Sequence, residues 1–544
     1  MDKQRIKPDD RVFAKTILVT GGLGFVGLNL LGRLLREGYN MHREAGNNMH
    51  ADRSRKSLGA LYTDMLNYIP SAIIPALAGI LLIPFLTRIL TPHEYGVYIL
   101  VITTVSLIAS ILGGWITIST IRFYPHGDAE SSRAFISEVD RILAVTFVPI
   151  AIMLVAASQL KFRLILPSYE AVTFIGVILS GKLLVDLNEV YLRAARRVSY
   201  YSLVRSMWSI GRLILCVSFA LLMGNHLIGA LVGISISNLG VAVYAWLITH
   251  KPSGGVRRTK IGNSPMYTIA RNFMAYGLPF SASAILMMVL SDADRFIIQW
   301  LAGSKMVGIY SAIYGSVNGL LGMLYAVPFM AAYPLAIKAW NGGEGIEKVR
   351  EIIMPSITIF LIIMMPAVAG LALIGRLFLG IFTTHLYAGY SSIILPIGIG
   401  VFCFGISSYT GLGLSLAKKT TVLFAFMAIA AAVNVVLNII LIPVSGIMGA
   451  GIATLFAYGL YAAMGGIWSR GLFSMAALIS SAAKIMGATG IMGVTLYGLE
   501  RAASFEGIEG LMGLTAIGVA SFAGAMVVMR GFAGINISGR QYNG

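Results

Sequence analysis

Cysteine is nearly missing from this chain. Two occur in 544 residues, Cys216 and Cys403, both inside apolar stretches, which excludes a disulfide framework and a thiolate metal site. Histidine is sparse as well: His42, His50, His93, His126, His226, His250 and His385 are scattered singly, with no pair at a metal-ligand spacing. Charged residues make up 12% of the chain, about half the share of a soluble domain. Acids are scarcer still, 23 against 41 bases. These shortages argue against a soluble enzyme and against metal chemistry.

Apolar sequence fills the space. Hydrophobic residues are 57% of the chain and the mean hydropathy is +0.81. A helix needs roughly 20 apolar residues to cross a bilayer. Runs of that length recur near 67–88, 95–118, 142–160, 171–191, 203–223, 227–249, 275–298, 307–333, 352–374, 391–414, 421–443, 446–468, 475–498 and 510–530. An all-α polytopic membrane protein of about fourteen transmembrane helices is expected.

The net charge of +18 is topological and does not call for nucleic acid. With the N-terminus cytoplasmic, the inner loops hold Arg122, Arg133 and Arg141, then Arg193, Arg196, Arg197 and Arg205, then Lys251, Arg257, Arg258, Lys260 and Arg271. They continue with Lys338, Lys348 and Arg350, Lys418 and Lys419, and Arg470 and Lys484. The outer loops hold only Arg88, Lys161, Arg163, Arg295, Lys305, Arg376 and Arg501. Short loops rich in Lys and Arg stay cytoplasmic, so both termini are expected inside a cytoplasmic (inner) membrane.

The spans also repeat. Tyr68-Ile69-Pro70 opens the first, Arg88 closes it and Gly96-Val97-Tyr98 starts the second; Tyr276-Gly277-Leu278-Pro279, Arg295 and Gly308-Ile309-Tyr310 do the same for the seventh and eighth. Gly229-Ala230 and Gly449-Ala450 mark the sixth and twelfth, so the offsets are 212 (98 to 310) and 220 (229 to 449). Two six-helix repeats in one orientation are expected, with two extra helices at the C-terminal end. The domains read as a fragment of residues 1–40, a cytoplasmic linker 41–66, an N-lobe 67–249, a basic inter-lobe loop 250–274, a C-lobe 275–470, and two extra spans with a tail, 471–544.

Particular residues sharpen this pattern. The stretch from Leu82 to Tyr98, with Arg88-Ile89-Leu90-Thr91-Pro92-His93-Glu94-Tyr95-Gly96 at its centre, resembles the opening of polysaccharide-repeat (Wzx-like) flippases of the multidrug/oligosaccharidyl-lipid/polysaccharide exporter superfamily. Tyr276-Gly277-Leu278-Pro279 followed by Asp294-Arg295-Phe296, and Asn434 to Asn438 running on to Thr454, are similar to the same family. The resemblance spans about residues 66–470. It implies a carrier, not an enzyme, that moves a polyprenyl-(pyro)phosphate-linked oligosaccharide to the outer leaflet for surface polysaccharide assembly. The lipid-linked oligosaccharide and membrane lipid would be its partners, with a polysaccharide polymerase and glycosyltransferases beside it. A drug or small-molecule exporter of the same superfamily is the alternative.

Residues 1–40 point elsewhere. Lys15 to Thr20 reads as a strand, Gly21-Gly22-Leu23-Gly24-Phe25-Val26-Gly27 as a phosphate-binding turn and Leu28 to Glu37 as a helix, similar to the start of nucleotide-sugar epimerases and dehydratases. A membrane-tethered epimerase is thus a second alternative. The next strand is absent, about 25 residues remain before the first span, and a βαβ unit takes about 30. No tyrosine has a lysine four positions on, so the Tyr-x-x-x-Lys pair of those enzymes is missing. Gly21, Gly24 and Gly27 are read as vestigial and no cofactor is expected. Gly176 to Leu183 imitates a P-loop but ends on Leu183 where Ser or Thr should hold magnesium.

Charges within spans are the site candidates, because one at mid-bilayer costs on the order of 3 kcal/mol. Lys182, Asp186 and Glu189 stack on one face of the fourth span and Arg212 lies in the fifth. At about 1.5 Å per residue, Lys182 and Arg212 lie at similar depth, roughly 12 Å from the cytoplasmic ends of their helices. They are candidate cations for the substrate's phosphates; the competing reading is an internal Lys182–Asp186 pair that staples two helices. Arg88 and Arg295 are further phosphate-binding candidates at matching outer ends, although side chains there also snorkel to the interface. Asp186, Glu189, Asp292 and Asp294 are candidates for ion coupling. Asn434 and Asn438 are expected to bond between helices, and Ser131 to Arg141 and Glu344 to Ile353 to form helices on the membrane surface.

The N-terminal fragment is expected to be dispensable, since it lacks the strands to bury its apolar face. A chain starting at Met49 should insert and restore surface polysaccharide in a flippase-null strain. NAD binding by the full chain that disappears in the shortened one would overturn this.

Overall fold

A computed structural model describes residues 70–125, 129–159, 169–250, 266–503 and 505–532. The fragment of residues 1–40, the linker 41–66 and most of the 250–274 loop lie outside them. Every regular element among the described residues is helical. Lipid imposes this, because an unpartnered backbone N–H or C=O there costs several kcal/mol and a helix pairs both within one segment.

The long helices are α1 (Pro70–Ile89), α2 (Pro92–Phe123), α3 (Ala129–Gln159), α4 (Tyr169–Ala194), α5 (Val198–Leu222), α6 (His226–Thr249), α7 (Met266–Asn341), α8 (Gly345–Leu373), α9 (Ile394–Thr410), α10 (Thr420–Ser445), α11 (Ile447–Ser469), α12 (Met475–Ala502) and α13 (Gly507–Phe532). Eleven helices among the described residues are long and apolar enough to cross a membrane. Two expected spans share α7, which breaks at Gly303 (φ 80°, ψ 171°). The third and fourth expected spans fall on α3 and α4, of 31 and 26 residues, which are not among those eleven. The chain is a multi-pass membrane protein.

The structure divides between Ala312 and Ile313 into two compact units. The first holds α1–α6 and the opening part of α7, where α6 packs on α5 and α4, and α4 on α2. In the second, α11 packs on α9 and α10, and α12 on α8 and α13.

Local chemistry sets the α1–α2 turn. Thr91 Oγ1 accepts from the Glu94 amide at 3.3 Å while Glu94 Oε2 accepts from the Thr91 amide at 2.8 Å. With Pro92 at the first helical position, this capping box stops one helix and starts the next, worth about 1 kcal/mol.

One turn further on, backbone meets backbone. A β-carbon on Gly96 would run into the Ser304 carbonyl and the Gly308 amide, and one on Gly308 into the Pro92 carbonyl and the Gly96 amide. The contact is reciprocal. Pro92 and Gly96 stand 212 residues before Ser304 and Gly308, the offset that relates the Gly-x-Tyr markers, so the starts of α2 and of the post-Gly303 part of α7 cross about a local two-fold.

The C-terminal ends of α2 and α4 form a second junction. Ser131 to Arg141 continues directly into the rest of α3, and Phe135, Ile136 and Val139 pack with Trp115 and Ile116 of α2, Leu187 and Tyr191 of α4, and Phe273 of α7. The stretch is helical as expected, but its apolar face is covered by protein. Glu344 likewise caps α8 and runs on into it. Asp140 joins the group: Tyr191 donates to its Oδ1 at 2.8 Å and His250 Nε2 lies 2.8 Å from its Oδ2. Burial works against a charged His250, but the bond to Asp140, that carboxylate's charge and the Trp246 carbonyl outweigh it, so the imidazole's pKa is raised.

Asn434 and Asn438 do not bond between helices. The Asn438 amide donates to the Asn434 carbonyl at 2.9 Å and to its Oδ1 at 3.0 Å, within α10. Spacing of four residues makes the nearest partner of a buried amide the previous turn of its own helix.

Gly96→Ala and Gly308→Ala should each destabilise the protein by about 1–3 kcal/mol, the usual cost of overpacking. Thermal unfolding in detergent checks this, with Gly240→Ala, where no atom lies within 4 Å of an added β-carbon, as control. Equal midpoints for all three variants would refute the crossing.

Candidate functional site

The charges of α4 and α5 gather on one side chain. Trp208 lies on α5 with Arg205 one turn before it and Arg212 one turn after, and its indole has the Arg205 guanidinium 5.7 Å from the ring centroid, the Arg212 guanidinium at 5.3 Å and the Lys182 ammonium of α4 at 5.7 Å. The ring is fixed: Trp208 Nε1 donates to Asn238 Oδ1 of α6 at 2.8 Å, and Asn238 Nδ2 donates to the Ile178 carbonyl of α4 at 3.1 Å. One indole thus ties three helices and orients three cations.

Two carboxylates offset two of these charges. Lys182 pairs with Asp186 at 2.9 Å, both partly exposed, and Arg205 pairs with Glu189 at 3.1 Å, where Glu189 is buried. The Lys182–Asp186 pair lies within α4 and staples no second helix. Arg212 has no carboxylate partner among the described residues; its contact is the Trp208 face. A cation–π contact returns about 0.5–2 kcal/mol, less than the roughly 3 kcal/mol charge penalty of a span interior. The difference calls for water or an anion at Arg212.

The remaining candidates form a separate group on α7. Arg295 pairs with Asp292, and buried Asp294 accepts hydrogen bonds from the Tyr310 hydroxyl and, at 2.8 Å, from the Arg295 amide. Tyr310 lies beyond the Gly303 break, so this bond closes a helical hairpin. The buried hydroxyl of Tyr95 lies within electrostatic reach of both Arg212 and Arg295. Arg88 is exposed and donates to the Pro84 carbonyl of its own helix at 3.0 Å. No three His, Cys, Asp or Glu side chains among the described residues come together as a metal site.

Arg205, assigned from the sequence to a cytoplasmic loop, belongs instead to α5, which starts at Val198 and carries its guanidinium back to Glu189. Trp208 and Asn238 were not singled out at all. The signal for Trp208 was present in the spacing, since Arg205, Trp208 and Arg212 fall at i, i+3 and i+7 on one helical face. Asn238 offered none.

Residues 63–340, just over half of the chain, match the family described as polysaccharide biosynthesis protein, and the chain belongs to that family. No curated protein matches in sequence. Among solved structures, the lipid II flippase MurJ in an inward closed conformation is similar over 86% of this chain and 99% of its own, at 14% identity and a TM-score of 0.67. A multidrug resistance MATE family transporter of the MOP superfamily, inward-facing, is similar over 74% and 97%, at 19% identity and 0.59. A MOP superfamily transporter from Pyrococcus furiosus, described as having a binding pocket of reverse polarity, is similar over 74% and 93%, at 16% identity and 0.51. The chain therefore has the fold of MOP-superfamily flippases and transporters.

Trp208→Ala should remove the platform under all three cations, and Trp208→Phe should keep the ring while losing the bond to Asn238. Transport is expected to fall about tenfold or more in the first, a loss of about 1.4 kcal/mol in the transport step, and less in the second, with both present in the membrane at normal level. Unchanged transport by Trp208→Ala would detach the indole from function.

Proposed function

We propose that this protein flips a polyprenyl-(pyro)phosphate-linked oligosaccharide across the cytoplasmic membrane during surface polysaccharide biosynthesis, by alternating access, with both termini cytoplasmic. Family membership supports the pathway and the fold supports a carrier. The single observation that favours an anionic substrate is the group around Trp208, where three cations face two carboxylates. A drug exporter selecting cations has no use for such an excess of positive charge.

In this reading Arg212 and Lys182 take the phosphates, Arg212 through its planar fork and Lys182 as a mobile point charge. Arg205 stays with Glu189 and holds the ring in place. Arg295 and Arg88 serve as outer contacts. Asp186 competes with the phosphate for Lys182, which lets the site release what it has bound. Asp292, Glu189 and Asp294 are the remaining candidates for ion coupling, and Asp294 is distinguished by burial. The enzymes that build the repeat unit, glycosyltransferases, would act before this step and a polymerase after it.

Arg212→Ala should leave the protein in the membrane at normal level while lipid-linked repeat units accumulate on the cytoplasmic face. Arg212→Lys should recover part of the activity, because lysine keeps the charge and loses the bidentate geometry. Normal transport by both Arg212→Ala and Lys182→Ala would place the phosphate site elsewhere.

A further inference from the structure

The turns joining α4 to α5 and leading from the end of the α9 segment into α10 are copies of one structure. In the first, the Arg196 amide donates to the Arg193 carbonyl at 3.1 Å and the Arg197 amide to the Leu192 carbonyl at 2.8 Å. In the second, the Lys418 amide donates to the Ser415 carbonyl at 3.1 Å and the Lys419 amide to the Leu414 carbonyl at 2.8 Å. Each atom pair recurs 222 residues on. The left-handed position, φ 59° and 58°, is held by Arg196 and Lys418, where glycine is the usual occupant and a β-carbon is a steric burden. Among the described residues these two are the non-glycine residues with positive φ.

Both copies place two basic residues in a row on the surface, Arg196-Arg197 and Lys418-Lys419. The second sets its pair beside Trp468 and the first sets its pair at the end of α6 that carries Trp246, and the two tryptophans also stand 222 residues apart. Trp246, near the end of α6, is 49% exposed and Trp468, near the end of α11, is 46% exposed. The Lys419 ammonium lies 4.7 Å from the Trp468 ring centroid. The Arg197 guanidinium reaches the Ile248 carbonyl of α6 at 3.5 Å, two residues from Trp246, whose ring stacks on His250.

We propose that each turn with its tryptophan binds the headgroup of an anionic phospholipid at the membrane surface, one site in each unit. A half-exposed tryptophan at a span end sits at headgroup depth, which puts the adjacent basic pair level with the phosphates. Each such residue strengthens attachment to an anionic surface roughly fivefold. Positional need explains why arginine and lysine occupy a backbone conformation that suits glycine: the charge is wanted at that point of the turn. The bilayer is the source of the ligand, and the inference rests on the chain spanning a membrane and not on which substrate it carries.

Arg196→Gly and Lys418→Gly test this, since glycine relieves the left-handed position while removing the charge; Arg197→Gln and Lys419→Gln test the neighbouring charges without touching it. The purified full chain is supplied with phosphatidylglycerol or phosphatidylcholine in detergent, and retained lipid is counted by native mass spectrometry alongside thermal unfolding. The wild type should retain phosphatidylglycerol in preference to phosphatidylcholine. Each variant should bind it roughly fivefold more weakly, and the glycine variants should unfold no earlier than wild type in lipid-free detergent. Undiminished retention in the Arg196→Gly, Lys418→Gly double variant would overturn the proposal. Equal retention of phosphatidylcholine, displacement by inorganic phosphate at millimolar concentration, or early unfolding of the glycine variants without lipid would do so as well, the last by assigning the basic residues to helix capping.

Discussion

A charge inside a bilayer has to be met by something, and the first unit is arranged around how its charges are met. Along α4 and α5 the partners are close and specific: Asp186 for Lys182, Glu189 for Arg205, and the face of Trp208 for Arg212. The Arg205–Glu189 pair, with its carboxylate buried, cannot be read as net stabilisation, because desolvating two ions costs as much as their attraction returns unless the geometry is fully satisfied. Its value is positional. The indole is pinned by Asn238, so the cations have a fixed surface to lie against, and the helices that carry them hold a defined register.

Under the proposed function the same contacts separate residues that would carry charge for the substrate from those that carry it for structure. Arg205 and Glu189 are committed to each other, with the carboxylate buried. Lys182 and Asp186 form a looser pair one helical turn apart, both partly exposed, and an intrahelical pair of that kind is worth only a few tenths of a kcal/mol. An incoming phosphate can displace Asp186 from Lys182 at little cost. Displacing Glu189 from Arg205 would leave a buried carboxylate unpaired, at a cost of several kcal/mol. The ease of exchange favours Lys182 and Arg212 as the mobile contacts and Arg205 as the fixed one.

Hydropathy made the helices legible, because the length and composition of a span are set by the bilayer and not by tertiary context. The Gly96 and Gly308 markers were legible as well, and the structure supplies their reason: a crossing so close that a β-carbon on either would strike backbone. The gathering of Lys182 and Arg212 could be anticipated from depth alone. The spacing of Arg205, Trp208 and Arg212 places the indole on the same helical face as two cations, but its bond to Asn238 depends on how α5 packs against α6 and was not legible. Arg205 was misplaced for a related reason. A base near a span end counts toward the loop when only hydropathy is read, and its capture by Glu189 depends on packing between α4 and α5 that no single helix reveals.

The reciprocal crossing bears on how such a chain could move. At Gly96 and Gly308 the starts of α2 and the later part of α7 touch through carbonyls and amides, with no side chains between them to repack. The Thr91–Glu94 capping box fixes one of these starts, and the Asp294–Tyr310 bond across the Gly303 break holds the other. Backbone contacts of this kind permit rotation about the crossing point more readily than separation, since small residues let the helices turn without interlocked side chains. In the proposed alternating-access carrier this crossing is the pivot, and the cations around Trp208 lie on helices that do not form it. On that proposal binding and pivoting fall to different residues within the same unit, so the charge site can be tuned to a substrate without disturbing the contact on which movement turns.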